Sequence, residues 1–169
     1  MTINLHGIPE RVMLDSSVLT RTRGDATGEH ADLCRELWYE LIKQQHRILI
    51  PAIALAEYME KPPHDRPKRH RNVEVVHFDD EAAAIIATRF PPSVFLRQNA
   101  VPGATKAIIK FDTMILASAV RHRAELLFCM DHRLSNLATA AQMPVKNPAD
   151  LGRPTQLPLV PLPIPIVKR

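Results

Sequence analysis

Short apolar runs alternate with helix-length segments along this chain, and that alternation limits the fold more than any other feature. Val12 to Leu14, Arg47 to Pro51, Val73 to Phe78 and Leu126 to Met130 each carry a compact apolar stretch, and Pro144-Val-Lys146 adds a shorter one. Runs that are apolar at successive positions suit strands covered on both faces, the usual condition of a parallel sheet. Between them lie helical patterns. From Glu29 to Gln45, Leu33, Leu37 and Leu41 recur at helical spacing with Cys34 and Trp38 alongside. Ala52 to Met59, the alanine-rich stretch after Asp79-Asp80-Glu81, Asp112 to Arg123 and His132 to Ala141 supply the remaining helices. Strands joined by right-handed helical crossovers predict an α/β fold, a three-layer α/β/α sandwich around a central parallel sheet of four to five strands.

Four acids stand at telling places in this order. Asp15 follows the first apolar run, Glu57 lies about one turn into the second helix, Asp112 is expected in the first turn of its helix, and Asp131 follows the fourth strand. Ligands of open α/β sheets bind outside the carboxyl ends of strands, where Asp15 and Asp131 fall. Carboxylates that converge there repel: two unit charges 4 Å apart cost about 4 kcal/mol at an effective dielectric near 20. A cation relieves that cost, and hard oxygen donors suit Mg²⁺ or Mn²⁺. Metal-bound water attacking phosphorus in a phosphodiester is the chemistry such a site supports. Each acid also has a plainer use. Asp15 suits a turn, Glu57 a solvated helix face, and Asp112 and Asp131 the N-terminal positions of helices, where a carboxylate is favoured by roughly 0.5 to 2 kcal/mol.

Composition removes several other classes. With 169 residues the chain suits one domain, and its 46% hydrophobic content is ordinary for a globular protein. No apolar stretch reaches the length of a membrane span, and the start Met1-Thr-Ile-Asn-Leu-His lacks a secretory pattern. Cytoplasmic residence is the default expectation. Two cysteines, Cys34 and Cys129, support neither a disulfide framework nor a thiolate zinc site, and both are expected to be buried thiols. A net charge of +4 permits nucleic-acid binding without specifying it. No Gly-x-x-x-x-Gly-Lys motif occurs, which excludes a P-loop enzyme. A phosphoryl-aspartate phosphatase would want a second Asp where Ser17 stands.

Taken together, the segments Val12-Met-Leu-Asp-Ser-Ser17, Ile48 to Glu57, Asp112-Thr-Met-Ile-Leu-Ala-Ser-Ala119 and Cys129-Met-Asp131 resemble the PIN-domain family, especially its VapC-type toxins. The likeness runs from about Val12 to Leu151. It implies that Asp15, Glu57, Asp112 and Asp131 form the catalytic, metal-binding set of a Mg²⁺- or Mn²⁺-dependent endoribonuclease. It also implies an RNA substrate, an antitoxin protein as partner and the option of a homodimer. Ser16, Ser17 and Cys129 are the expected supporting residues around the acids. Cys129 departs from the pattern, since the family has Thr or Ser there, and Ser135 stands near where some members place a further acid.

Two segments lie apart from that core. Lys61, Arg66, Lys68, Arg69 and Arg71 fall in a stretch with three prolines and one acid, a basic loop or a distorted helix, suited either to RNA phosphates or to solvent. No aromatic residue interleaves with these charges in sequence, so base stacking is not expected there. Residues 89–105 are expected to be an irregular lid. The domain is expected to close near residue 151, leaving 152–169 as a proline-rich extended arm. A nuclease and a catalytically weak module that binds RNA or protein are therefore the two functions to separate.

Overall fold

The computed structural model describes residues 3–60, 62, 64–93 and 105–151. Five parallel strands, β1 (Arg11–Leu14), β2 (Arg47–Pro51), β3 (Val73–Val76), β4 (Leu126–Phe128) and β5 (Val145–Lys146), form one sheet in the order β3-β2-β1-β4-β5. Helices α1 (Ser16–Leu19), α2 (Glu29–Lys43), α3 (Ala52–Glu60), α4 (Asp80–Arg89), α5 (Lys106–Arg121) and α6 (His132–Ala140) accompany it. This is the expected α/β/α sandwich, with the sheet at five strands.

Strand geometry divides the core into two layers. Successive side chains of a strand point to opposite faces. Val12, Leu14, Ile48, Ile50, Leu126 and Phe128 accordingly pack with Leu33, Leu37 and Leu41 of α2. Met13, Leu49 and Leu127 pack on the other side with Leu116 of α5 and Leu134 and Leu137 of α6. The apolar runs lack a polar face because helices cover both.

The strand order creates the place for a site. The chain moves outward from β1 to β2 and β3, then returns to the opposite side of β1 as β4. At this reversal the crossovers leave on opposite faces, and the switch point at which open α/β sheets bind ligands falls at the carboxyl ends of β1 and β4. Val12, Met13 and Leu14 pair with Leu126, Leu127 and Phe128, which brings the turns after both strands side by side.

Two details differ from the sequence expectations. A short helix follows Asp15 directly, and a 3-10 turn (Thr20–Thr22) runs into the polar, glycine-containing segment Arg21 to Gly28, which reads as a loop. Helix α5 starts at Lys106, capped by Thr105, so Asp112 sits in its second turn rather than its first. The Thr105 hydroxyl accepts the Ile108 N–H, a capping arrangement hidden by the adjoining Pro102-Gly103. Residues 64–72 form a loop without helix or strand, as one of the two expectations had it. The greater part of the expected lid, 94–104, and the arm at 152–169 lie outside the described residues.

Candidate active site

Asp15 is fixed by both neighbouring turns. Its backbone N–H donates to the Phe128 carbonyl at 3.1 Å, extending the β1–β4 pairing by one residue. Its carboxylate caps α1, accepting the Ser17 N–H at 3.1 Å on Oδ2, while the Ser16 hydroxyl donates to Oδ1 at 3.4 Å. The Cys129 thiol donates to Oδ2 at 3.5 Å. Asp15 is 3% exposed. The turn-forming use is thus real, and burial in a crevice is added to it.

Cys129 is the sulfur hub behind the acids. It lies just past β4, accepts the Asp131 N–H at 3.2 Å and approaches the Ser17 hydroxyl at 3.8 Å. Burial pushes its thiol up to about 12, and the negative charge of Asp15 acts in the same direction. The group is therefore a neutral donor at physiological pH, a weaker one than a hydroxyl. Ser17 Oγ accepts the Met130 N–H at 2.9 Å, tying the turn after β1 to the turn after β4.

Asp112 and Asp131 meet through Arg133. In the second turn of α5, Asp112 has no capping role, yet its side chain is 8% exposed. Arg133 Nε donates to Asp112 Oδ2 at 3.0 Å, and Arg133 Nη2 donates to Asp131 Oδ2 at 3.0 Å. Asp131 Oδ1 accepts the Arg133 backbone N–H at 2.7 Å, the N-cap bond of α6. Burial raises the Asp112 carboxyl to about 6. Arg133 opposes that rise, whereas the charges of Asp131 and Asp15 add to it. Arg133 joins Asp112 to Asp131, and Cys129 Sγ contacts both the Asp15 carboxylate and the Asp131 backbone N–H.

The remaining predicted residues fall elsewhere. Glu57 lies in the second turn of α3, exposed, with no hydrogen bond or ion pair to its carboxylate among the described residues. Its helix packs on α1, the short helix that follows Asp15. Arg66, Lys68, Arg69 and Arg71 are exposed on the loop before β3, and Lys61 lies outside the described residues. Sequence order conceals the neighbours of that loop. Arg66, Lys68 and His70 line a cavity of about 730 Å³ with Trp38, Tyr39 and Tyr58, so aromatic rings do adjoin the basic loop in space.

Arg133 is the residue that sequence reasoning misses. A cation in the first turn of a helix opposes the positive end of the helix dipole. Position 133 therefore needs an anionic partner, and that anomaly was the available signal.

A family model described as PIN domain matches residues 12–140. The chain belongs to the PIN-domain family. No similar protein was found among curated proteins. PIN domains are generally nucleases that depend on divalent metal ions, and this PIN domain carries the donor type such ions require: carboxylate oxygens from Asp15, Asp112 and Asp131 around one crevice. Among the described residues, no group of three or more His, Cys, Asp or Glu stands in metal-holding geometry. The chemistry of the donors fits the ion, while Arg133 supplies the positive charge between Asp112 and Asp131 in the arrangement described. No described helix is long and apolar enough to cross a membrane.

Proposed function

We propose that this PIN domain is a Mg²⁺- or Mn²⁺-dependent endoribonuclease that hydrolyses RNA phosphodiester bonds, acting as the toxin of a type II toxin–antitoxin pair. The observation that supports the reading is the Arg133 bridge between Asp112 and Asp131, with Cys129 Sγ contacting both the Asp15 carboxylate and the Asp131 backbone N–H, where the strand order reverses. Asp15, Asp112 and Asp131 would hold the metal, with exposed Glu57 as the outer member of the set. A bound ion supplies Lewis-acid stabilisation of the phosphoryl oxygens and lowers the pKa of a coordinated water. The protein's own part is orientation. Ser17 N–H and the Cys129 thiol hold one oxygen of Asp15, and the cap of α6 holds one oxygen of Asp131. Arg66, Lys68, Arg69 and Arg71, with Lys61, are the cations proposed to track RNA phosphates.

An acidic crevice of this kind is complementary to a cationic segment of an antitoxin, and both the RNA substrate and that partner put the work in the cytoplasm. A homodimer is compatible with the reading and forms no part of its chemistry. The test is cleavage of a defined RNA by the purified full chain with Mg²⁺, with EDTA and as the Asp15→Asn variant. Cleavage that EDTA stops and Asp15→Asn abolishes is expected; equal cleavage by the variant overturns the role of Asp15.

One observation favours a second reading, a catalytically weak module that binds RNA or protein. Arg133 already pairs with both Asp112 and Asp131 and offsets part of their repulsion with no metal. That reading predicts RNA or protein binding that survives chelation, with negligible turnover.

A further inference from the structure

We propose that Arg133 is a resident counter-cation that competes with the divalent metal, and that metal binding requires its guanidinium to leave Asp112 and Asp131. The inference rests on the metal-dependent reading above and goes beyond it by naming a residue that sets metal affinity.

The geometry of the two ion pairs carries the argument. The guanidinium fork does not grip one carboxylate with two parallel bonds, the usual arrangement for arginine. It divides, Nε to Asp112 and Nη2 to Asp131, each at 3.0 Å, and so joins a carboxylate from α5 to one from the end of β4. Bridging carboxylates from separate elements is also the task of a metal in such a crevice. The oxygens taken are the relevant ones. Asp131 Oδ1 is committed to the cap of α6, which leaves Oδ2 as the oxygen open to a cation, and Arg133 holds it. A guanidinium and a divalent ion that share these oxygens would stand as like charges at contact distance.

Arg133 also has a way out. Its side chain is 38% exposed, against 8% for Asp112, so it approaches from the solvent side of the acids. No other ion-pair or hydrogen-bond partner holds the guanidinium among the described residues. Its backbone stays fixed at the start of α6 while a long, flexible side chain can turn outward. The centre then has two states: a closed one bridged by Arg133 and an open one available to metal. The apparent metal affinity equals the intrinsic affinity scaled by the open fraction.

Titration of the full chain with Mn²⁺ by calorimetry tests this for wild type, Arg133→Gln and Arg133→Lys, each with a thermal melt in EDTA. For an open fraction on the order of one in ten, Arg133→Gln binds Mn²⁺ roughly tenfold tighter than wild type. The same variant melts lower than wild type in EDTA and gains more from Mn²⁺, a crossing that a merely structural arginine does not produce. Arg133→Lys, which keeps a charge but loses the fork, falls between, and it decides the question if the glutamine variant does not fold. Equal or weaker Mn²⁺ binding by the variants, with wild type binding measurably, overturns the role of Arg133 and leaves the metal site standing. Absence of Mn²⁺ binding in wild type and variants alike overturns the metal reading, and this proposal with it.

Discussion

The Ser17 hydroxyl accepts the backbone N–H of Met130 at 2.9 Å, so one side-chain oxygen joins the turns that follow the two adjacent strands β1 and β4. Those turns carry Asp15 and Asp131. Replacing Ser17 by alanine leaves the Met130 N–H without its acceptor in a half-buried setting, a loss of about 1 to 2 kcal/mol. Urea unfolding of Ser17→Ala is expected to show that loss. RNA cleavage by the variant should fall further than its folded fraction does, because the spacing of the two aspartates is relaxed.

Asp112 gives the protein a stability that depends on pH. Its folded-state carboxyl titrates at about 6, above the ordinary carboxylate value of 3.8, with burial as the main cause. The folded state therefore binds the proton more tightly than the unfolded chain does. The contribution is fully present below the unfolded value and is lost as pH rises through the folded one. Wild-type stability measured against Asp112→Asn should decline between about pH 4 and pH 7. A difference that stays flat over that range contradicts the buried, raised carboxyl.

Divalent metal should stabilise the fold. A ligand that binds only the native state at one hundred times its dissociation constant adds about 2.7 kcal/mol. Melting of wild type with Mg²⁺ or Mn²⁺ is expected to shift upward and to return with EDTA. Asp15→Asn should shift little, since a neutral amide is a poorer partner for a hard dication.

The two thiols should be unreactive in the folded protein. Burial pushes Cys34 up to about 11 and Cys129 up to about 12, so neither supplies thiolate at pH 8. A chromogenic disulfide reagent is expected to titrate no thiol in native buffer and both in denaturant. Prompt native reaction at either position contradicts the packing described.

The basic loop should contribute to RNA binding through charge alone. Each phosphate contact on a single strand adds about 0.7 to the slope of log affinity against log salt. A double Arg66→Ala, Lys68→Ala variant is expected to lower that slope by roughly 1.4 while leaving turnover at saturating RNA unchanged. An unaltered slope assigns these residues to solvent.

Much of this fold was legible because its signals are local. Apolar runs such as Ile48 to Ile50 report burial on both faces, and Leu33, Leu37 and Leu41 report one helical stripe. Asp15 is legible because it directly follows β1, whereas β4 ends at Phe128 and Asp131 lies three residues beyond it as the cap of α6. What could not be read depends on long-range or concealed geometry. The position of Asp112 was misjudged because the start of α5 adjoins Pro102-Gly103, and a second-turn aspartate has no capping explanation for its burial. The ion pair of Arg133 with Asp112 spans 21 residues, and only the unfavourable placement of a cation at a helix start hints at it. Trp38 and Tyr39 meet the basic loop only after the chain has crossed the sheet, so composition along that loop concealed its aromatic neighbours.

The sheet order also bears on the timing of biosynthesis. Asp15 emerges early, but the thiol that touches it at Cys129 lies 114 residues downstream. Strand β1 remains open on one side until β4 has been synthesised, and pairings between distant segments form late. A growing chain on the ribosome cannot assemble the acidic crevice until most of the domain has been translated. On the proposed ribonuclease reading, cleavage competence would then arise only near the end of synthesis.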